Sequence, residues 1–593
     1  MMIMLTLAAC VGAGDVLRGA DIRQVEVGGE IGRRLDITVE NNLLAINLEK
    51  DFLEPFLKRE KSDGYIGLGK TIDAMARFCA YTEDARLIAR KKAVVDALVA
   101  SQEPDGYLGM FKKEARTTSL WDVHECSYLV LGLTSDYAFC GEQKSLEAAR
   151  KLADYLIAEL TATPPKKVGP DDLSPVMGTT GLDPAMLYLA EQTGESKYRD
   201  FVVNARKLPE WRYPMVLGRW GNVSGHAYAY MAECLAQVRL SEYVDDKGLW
   251  DETRNVFDFL LNRDGLVISG TCGDHECWHN TQSGTTNLGE TCATAYLVRF
   301  CDEMLRKTGD SLFGDLIERA IYNALFAAQS PDGRRLRYYA PFEAPRQYFD
   351  GDTYCCPCNY RRILPEIPSM VYYGRADGIY VNLYTASTAT VPLGKATVTL
   401  RQETDYPNSG RVVLTVESGA GPFTVYVRQP RWAKSADVRV NGEDFSTKPV
   451  NETLAITRAD WKAGDRIEIE FPMEWRLVKG RKTQDGRAAV MRGPQLFTYN
   501  PERNPDMKGL EPRLFTLDER AAVEGPIPDD SVRPGGMACK VRVWEPGAWY
   551  PHAVSREIVL TEFADPGATW TYFQAANPGS ERLVDDELVG AWK

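Results

Sequence analysis

Three short segments of this chain concentrate side chains that could do chemistry. They are residues 273–279 (GDHECWH), 289–292 (GETC) and 354–359 (YCCPCN). Thiolate, imidazole and carboxylate groups coordinate zinc in tetrahedral protein sites, and thiolate-rich sites select zinc over harder metals. Together the three segments therefore predict a zinc site with further reactive groups beside it.

Four of these side chains, Glu290, Cys292, Cys355 and Cys356, would supply the metal ligands. Residues two positions apart do not share one face of a helix, so Glu290 and Cys292 could converge only at a turn where a helix begins. The adjacent cysteines can both reach one ion only where the backbone is kinked, and Pro357 would favour such a kink. On these grounds alone, a closed structural site and a catalytic site are equally well supported.

Residues 275–279 (HECWH) also fit H-E-x-x-H, the motif in which two histidines bind zinc in metalloproteases. That motif requires a helix, so that both histidines project from one face. The flanking residues 270–274 (GTCGD) and 280–284 (NTQSG) are not typical of a helix. A zinc metalloprotease therefore stays an alternative interpretation, and it requires His275 and His279 on the metal.

The elements that must position these segments are predominantly helical up to about residue 370. Apolar residues recur at three- and four-residue spacing between residues 71 and 328, with turn signals such as 104–106 (PDG) and 331–333 (PDG) between the segments. About a dozen helices joined by short loops suit an (α/α)-barrel toroid. A helical solenoid is the main competitor, but no fixed-period repeat favours it.

From about residue 376 the chain alternates apolar and polar side chains, as in VTLRQETDY and RVVLTVES. This alternation, broken by regular turn residues, is typical of a β-sandwich. We therefore predict a multidomain α + β chain. An (α/α)6-barrel with short N-terminal strands would occupy residues 20–375, a β-sandwich 376–485, and a second β-rich domain 486–593 that packs on the barrel.

Composition narrows the class of partner. The chain has 593 residues and a formal net charge of −13, which argues against nucleic acid because phosphate binding needs a basic face. After the N-terminus no stretch of about 20 apolar residues occurs, so no transmembrane segment is expected. The 13 cysteines are an odd number spread over a long chain, which does not indicate a disulfide framework.

Residues 1–19 are expected to be an export leader or a disordered tail. The start, MMIMLTLAAC, lacks a positively charged region but ends like a bacterial lipobox, in which Cys10 would carry lipid. An exported bacterial protein, periplasmic or lipid-anchored, is therefore favoured over a cytoplasmic one. A homodimer is also compatible with the sequence.

The reactive segments resemble motifs of glycoside hydrolase family 127, the β-L-arabinofuranosidases. Residues 290–292 look like the E-T-C of that family, and residues 355–359 look like its C-C-P-P-N. Further matches follow the family order from about residue 30 to 500: 102–108 (QEPDGYL), 225–227 (GHA), 318–323 (ERAIYN), 404–407 (TDYP), 441–443 (NGE) and 492–494 (RGP). Each fragment is weak alone, but the set is specific.

The resemblance implies an exo-acting retaining glycoside hydrolase with the barrel as catalytic domain and Zn²⁺ as cofactor. In the family, one glutamate and three cysteines hold zinc, and the first cysteine of the C-C pair attacks the anomeric carbon. Carried over, Cys355 is the nucleophile, and Glu290, Cys292 and Cys356 hold the ion with it. This is chemically sensible because a metal-bound thiol is already deprotonated, which is its nucleophilic form.

The remaining roles also come from the resemblance. Retaining glycosidases ordinarily use two carboxylates, and a thiolate would replace one of them. The family acid/base glutamate lies shortly before the E-T-C glutamate, and Glu276 stands in a segment of similar shape. His226, His124 and Tyr338 (or its neighbour in the chain) match or resemble family positions near the sugar. His275 flanks the acid and could tune it.

The chain departs from the family pattern around the site. A family histidine falls near Thr179, where this chain has none, and Cys358 replaces a usual proline and becomes a further candidate metal ligand. Cys272 and Cys277 add nearby thiols. The substrate is expected to be an oligosaccharide or glycoside with a terminal β-L-arabinofuranose. Another furanose or a branched acidic sugar is an alternative, as is a non-catalytic sugar-binding protein with a structural zinc.

Overall fold

The computed structural model describes residues 15–162, 179–218, 225–394, 396–546 and 554–592. Residues 1–14, which include Cys10 and most of the predicted export segment 1–19, lie outside these ranges. Within them, no helix is both long enough and apolar enough to cross a membrane.

The first part of the described chain is a closed ring of helices. The six inner helices are Leu68–Thr82, Leu120–Cys140, Leu182–Thr193, Ala227–Leu240, Thr291–Thr308 and Cys355–Ile363. Each inner helix packs on the next, and the last packs on the first. The outer helices are Gly29–Thr38, Ala85–Ala100, Gln143–Ala162, Ser196–Asn204, Asp251–Asn262 and Ser311–Ala320, with the short helix Glu54–Lys58 beside them. The predicted (α/α)6-barrel is therefore confirmed.

Sequence explains which helices lie inside the ring. Leu120–Cys140 is apolar nearly all round and buries most of its residues, whereas the outer Asp251–Asn262 is amphipathic and buries one face. Two glycines let the first two inner helices approach closely. A Cβ on Gly69 would lie 2.2 Å from the backbone of Tyr128, and one on Gly132 would lie 2.2 Å from the carbonyl oxygen of Gly69.

Two antiparallel-rich sheets follow the barrel and share its continuous core. The five-stranded sheet has the order Arg18–Gly19, Tyr372–Arg375, Gly378–Val381, Gly421–Arg428 and Thr453–Trp461. The seven-stranded sheet has the order Glu443–Asp444, Asp437–Val440, Arg466–Glu470, Arg411–Ser418, Ala396–Thr404, Ser387–Leu393 and Val25–Val27. Burial alternates along strands such as Ser387–Leu393 and Ala396–Thr404, which accounts for their period-two pattern, whereas Arg411–Ser418 buries five residues in succession.

The N-terminal strands differ from our expectation. We expected residues 18 and 19 to belong to the leader or tail and residues 25–27 to belong to the barrel. Instead, Arg18–Gly19 pairs with Tyr372–Arg375, and Val25–Val27 pairs with Ser387–Leu393. Strands of two or three residues carry too few side chains to specify a partner, so their sequence pattern could not show which sheet they join.

A third sheet follows the sandwich and packs on the barrel. Its strands are, in order, Gln495–Tyr499, Ser555–Glu562, Met537–Trp544, Thr516–Leu517, Tyr572–Ala575, Arg487–Arg492, Trp475–Lys479 and Leu583–Val584, with Glu524–Pro528 alongside Met537–Trp544. Apolar side chains of this sheet and of the barrel loops share one core, including Leu288, Phe342, Val478 and Met491. The predicted class, a helical barrel followed by β-sheet domains, is confirmed.

Candidate active site

Two of the three reactive segments, 289–292 and 354–359, meet because they stand at the beginnings of inner helices. Glu290 directly precedes Thr291–Thr308, and Cys355 and Cys356 open Cys355–Ile363. The kink that the cysteine pair needs lies before it, at Tyr354 (φ 91°), rather than at Pro357, which sits in the first helical turn. Pro is tolerated there because the first amide groups of a helix have no partner within it.

The predicted ligand set forms one buried cluster. The ligand atoms of Glu290, Cys292, Cys355 and Cys356 all lie within 4.8 Å of one another. Cys292 Sγ is 3.2 Å from Cys356 Sγ, which in turn is 3.5 Å from Glu290 Oε1. Glu290 Oε2 is buried and has no hydrogen-bond partner among the residues that the structure describes. Such an orphaned carboxylate oxygen beside three sulfur atoms fits a metal ion, which this cluster could hold.

Electrostatics also favour a cation in the cluster. Burial raises the pKa of Glu290 well above its ordinary value, and the neighbouring charge of Glu276 adds to the effect. Burial likewise raises the pKa of the Cys292 and Cys356 thiols well above their usual range. Four buried acidic groups in contact cannot all ionise unless a positive charge joins them, and a divalent ion would supply it.

Cys355 behaves differently from the other two thiols. Burial alone would raise its pKa, but hydrogen bonds from Cys292 and Cys356 and the charge of Lys70 outweigh that effect. The pKa of the Cys355 thiol is therefore held well below its ordinary value. Cys355 is thus the cysteine of the cluster best suited to be a thiolate, the nucleophilic form of the residue.

Glu276 and Tyr338 lie directly beside this thiol. The Tyr338 hydroxyl donates a hydrogen bond to Glu276 Oε1, and it lies 3.4 Å from Cys355 Sγ. His226 Nε2 is 4.0 Å from Glu276 Oε2. The Glu276 side chain is 18% exposed, so a ligand could reach it. The structure therefore brings Glu276, Tyr338 and His226 together with the cluster of Glu290, Cys292, Cys355 and Cys356.

The other two candidate histidines, His124 and His275, occupy different surroundings. His124 is buried, its Nε2 lies 3.3 Å from Lys70 Nζ, and its ring lies 4.7 Å from that of Tyr65. Tyr65 stacks in turn on Tyr354, next to Cys355 in the chain. His275 is 53% exposed in its side chain and contacts Asp274. His124 therefore belongs to the wall around the site, and His275 borders the site without joining the cluster.

The structure contradicts two alternative sets of metal ligands. His275 and Glu276 have positive φ angles of 49° and 71°, so H-E-x-x-H does not form a helix and cannot present both histidines from one face. This contradicts the metalloprotease alternative. Cys358 also lies outside the cluster, because its Sγ contacts Thr71 Oγ1 at 3.6 Å and the carbonyl oxygen of Ile66 at 3.8 Å.

Two residues near the cluster were missed by sequence reasoning as functional candidates. Asn359 Nδ2 lies 3.1 Å from Cys292 Sγ, so it orients a ligand of the cluster. Its position inside the cysteine motif was the available signal. Lys70 is completely buried, with Nζ 4.2 Å from the centre of the Tyr128 ring. One lysine within an otherwise ordinary helical segment gives no signal that it is buried beside a site.

Comparisons with known proteins agree with this geometry. Residues 49–369 match the family model described as "Beta-L-arabinofuranosidase, GH127 catalytic domain", and residues 378–473 match the GH127 middle domain. A non-reducing end β-L-arabinofuranosidase of Bifidobacterium longum subsp. longum is 24% identical over 508 residues, covering 74% of this chain and 75% of the relative.

Solved structures of family members share the fold. A GH127 β-arabinofuranosidase superposes with a TM-score of 0.82 at 23% identity, covering 95% of this chain and 99% of that one. A GH127 β-L-arabinofuranosidase from Geobacillus stearothermophilus T6 superposes with a TM-score of 0.76 at 21% identity, covering 93% and 100%. Since the catalytic-domain match alone spans more than half of the sequence, the chain belongs to glycoside hydrolase family 127 and is a glycoside hydrolase.

Proposed function

We propose that this protein is an exo-acting retaining glycosidase that releases terminal β-L-arabinofuranose, with Cys355 as nucleophile and Glu276 as acid/base. Membership of the family and the β-L-arabinofuranosidase activity of the Bifidobacterium relative support the sugar. The mechanism is supported by the site itself. No second function is favoured, because Glu276 lies beside the cysteine cluster, whereas a purely structural zinc would not need it there.

The position of the Tyr338 hydroxyl between Glu276 and Cys355 carries this proposal. Two successive contacts of hydrogen-bond length bring the sulfur and the carboxylate within about 6 Å of each other, near the roughly 5 Å that separates the two carboxyl groups of retaining glycosidases. A nucleophile and an acid at this spacing can act on opposite sides of one anomeric carbon.

The reaction would proceed in two displacements at that carbon. In the first, the Glu276 carboxyl gives its proton to the leaving oxygen, Cys355 Sγ bonds to the anomeric carbon, and the glycosidic C–O bond breaks. In the second, the Glu276 carboxylate takes a proton from a water whose oxygen attacks the same carbon. The C–S bond then breaks, the thiolate is restored, and the configuration is retained.

Zn²⁺ is the metal that we propose for the cluster. Glu290, Cys292, Cys355 and Cys356 would hold it, and their three sulfur atoms favour zinc over harder divalent ions. The unpartnered Glu290 Oε2 supports a cation at this position. When bound, zinc would keep the thiols deprotonated.

Three further side chains are proposed to bind and orient the sugar. His226 lies next to the proposed acid, and Tyr338 contacts both reacting groups. His124 would bind a hydroxyl from the barrel wall, where Lys70 fixes its ring. His275 is proposed only as a flanking residue, since it is half-exposed and contacts Asp274.

A panel of aryl furanosides and pyranosides, hydrolysed by wild type, Cys355→Ser, Glu276→Gln and Cys358→Ser, tests the proposal. Cys358→Ser is the matched control, because it alters a buried thiol of the same helix that lies outside the cluster. We expect release of arabinose by wild type and by the control. Glu276→Gln should lose about 10²–10⁴-fold in rate, and Cys355→Ser at least as much.

The outcomes separate mechanism from sugar. Hydrolysis that survives Cys355→Ser would contradict the nucleophile assignment. Release of a different sugar, still lost in both variants, would support the mechanism and correct the glycone. A wild type without activity on the whole panel would contradict the proposed substrates.

A further inference from the structure

A cavity lies in the barrel, at the end opposite the candidate active site. The inner helices begin at the end of the barrel that holds the cluster of Glu290 and the three cysteines. The cavity is lined by residues from later turns of these helices, among them Arg77, Leu131, Arg239 and Arg306. Its volume is about 320 Å³. None of the residues proposed above for catalysis or sugar binding lines it. We call it the rear cavity.

A layer of tyrosines separates the rear cavity from the active site. The hydroxyl oxygens of Tyr128 and Tyr296 are 2.6 Å apart, and both side chains are buried. Arg362 Nη1 lies 3.4 Å from Tyr296 Oη and extends this layer. A ligand in the rear cavity would therefore not occupy the proposed sugar site.

The carboxylates that line the rear cavity already have partners. Both oxygens of Glu366 accept hydrogen bonds from Arg299, at 2.9 and 2.8 Å. Asp302 accepts hydrogen bonds from Tyr373 at 2.7 Å and from Arg306 at 3.2 Å. The remaining lining acid, Glu303, is also bonded to Arg306. The acceptors of the cavity wall are thus occupied by the protein itself.

Most hydrogen-bond donors of the cavity wall, in contrast, have no partner among the described residues. Among the described residues, Arg77 donates one hydrogen bond, from Nε to Asp73 at 2.9 Å, and the same Nε lies 3.9 Å from Glu366 Oε1. Arg239 makes one ion pair, 3.5 Å from Nε to Glu191. Arg299 Nη1 is buried without a hydrogen-bond partner among the described residues. A guanidinium carries five N–H donors, so most of those on these three arginines are uncommitted. The three side chains stand on three different inner helices and line one cavity.

We propose that the rear cavity binds a small oxyanion, the carboxylate or phosphate group of a small molecule, between Arg77, Arg239 and Arg299. The planar fork of arginine recognises such groups with paired hydrogen bonds. Tyr128, Tyr188 and Tyr296 line the same space and offer apolar faces for the body of the ligand. This site is independent of the proposed glycosidase mechanism.

Electrostatic balance determines how the ligand is recognised. Three acids, Asp302, Glu303 and Glu366, lie in the cavity wall. Two more, Asp73 and Glu191, lie outside the lining and pair with Arg77 and Arg239. These five acids balance the charge of the five arginines that line the cavity. Net charge therefore contributes little to binding. Recognition depends on the convergence of uncommitted donors, which is lost when one arginine is removed.

Titration calorimetry with inorganic phosphate, and separately with citrate, tests the proposal on the intact protein. Sodium chloride of equal ionic strength is the blank. The informative variant is Arg239→Met, because Arg239 has the least structural role of the three. Arg150→Met is the matched control, an arginine outside the cavity that likewise pairs with one glutamate, Glu195.

We expect saturable binding of phosphate, citrate or both to wild type, weakened by about tenfold or more in Arg239→Met and unchanged in Arg150→Met. Phosphate alone would identify a phosphoryl ligand, and citrate alone a carboxylate. Absence of saturable binding, or binding indifferent to Arg239→Met, would overturn the proposal.

Crystallography of the wild-type protein tests the same proposal if Arg239→Met does not fold. Wild-type crystals soaked in selenate, a heavier oxyanion, should show anomalous density within hydrogen-bond distance of the three arginines. Density only elsewhere, or none, would overturn the proposal.

Discussion

Lys70 is a cation whose charge lowers the pKa of the Cys355 thiol, the candidate nucleophile, and its side chain is completely buried. Its Nζ contacts His124 and the Tyr128 ring, and among the described residues it has no carboxylate partner. Burying a charged group costs free energy unless an opposite charge or hydrogen bonds offset that cost. We infer that Lys70 stabilises the negative charge of the cysteine cluster and holds the His124 ring in place.

Removing the Lys70 charge should raise the pKa of the Cys355 thiol. In chelator-treated wild type, that pKa lies well below its ordinary value while those of Cys292 and Cys356 lie above, so Cys355 should be alkylated first at neutral pH. In Lys70→Met, less thiolate is present at neutral pH, and the alkylation rate should rise only at higher pH. Peptide mass mapping across a pH series measures this.

The control for this experiment is Lys91→Met. Lys91 is also buried, but it pairs with Asp136 and touches none of the cluster. Its removal should leave the pH profile of Cys355 alkylation unchanged. Equal profiles for wild type and Lys70→Met would contradict the role assigned to Lys70.

Sequence reasoning found the residues of the cluster but not all of its surroundings. Residue types and motif spacing identified Glu290, Cys292, Cys355 and Cys356, and the structure places them together. The orientation of His275 could not be predicted, because it depends on positive φ angles in a loop with no periodic pattern. Burial of Lys70 could not be predicted either, since it depends on which helices close the ring.

At the scale of elements, the short helix Cys355–Ile363 connects the cluster to the rest of the barrel. Its first turn carries both cysteines, and Asn359 one turn later lies 3.1 Å from Cys292 Sγ on the neighbouring inner helix. Arg362 Nη1 donates to Asn359 Oδ1 at 3.2 Å and thereby fixes the orientation of the amide. The helix thus supplies two of the candidate ligands and orients a third.

Asn359→Ala should weaken retention of the metal without removing a ligand. Loss of a partner that orients a metal ligand typically lowers affinity about 10- to 100-fold. Competition with a chelator of known affinity, followed by metal analysis, measures the change. Cys358→Ser, on the same helix and outside the cluster, should retain wild-type affinity, and an Asn359→Ala protein that does the same would contradict this account.

Periodicity predicted the long elements well and the short ones poorly. The inner and outer helices show the three- and four-residue spacing of apolar residues expected for a barrel. The strands Arg18–Gly19 and Val25–Val27 are too short to carry a pattern, and their partners lie more than 350 residues away in the chain. Only the folded barrel brings those segments together.

At the scale of the whole molecule, the C-terminal residues tie the third sheet to the barrel. Arg319 of Ser311–Ala320 bonds to Asp586 at 3.4 Å and to Glu587 at 2.5 Å. Glu587 also accepts a hydrogen bond from Arg476 of the sheet at 2.6 Å. Burial alone would raise the pKa of Glu587, but the charges of Arg319 and Arg476 lower it to about 2.

Arg319→Met should destabilise the protein at neutral pH by about 3 kcal/mol, since buried Asp586 then loses its arginine partner and Glu587 keeps only Arg476. Arg439→Met is the control. Its ion pair with Asp444 is largely exposed, and its loss should cost no more than about 1 kcal/mol. Urea unfolding measures both, and equal losses in the two variants would contradict the role of this contact.

The effect of Arg319 should also depend on pH. A carboxyl whose pKa is lower in the folded protein stabilises the fold above its unfolded pKa of about 4.3. That contribution is lost as the pH falls towards the folded value of about 2 for Glu587. The difference between wild type and Arg319→Met should therefore shrink over this interval.

The central claim is that Cys355 forms the covalent bond to the sugar. In Glu276→Gln, an aryl β-L-arabinofuranoside with a good leaving group should still glycosylate the protein, because that step then needs little acid, while hydrolysis of the intermediate lacks its base. Intact-protein mass spectrometry should show one added glycosyl residue, which peptide mapping assigns to Cys355. An adduct on another side chain, or a product of inverted configuration without any adduct, would contradict the account.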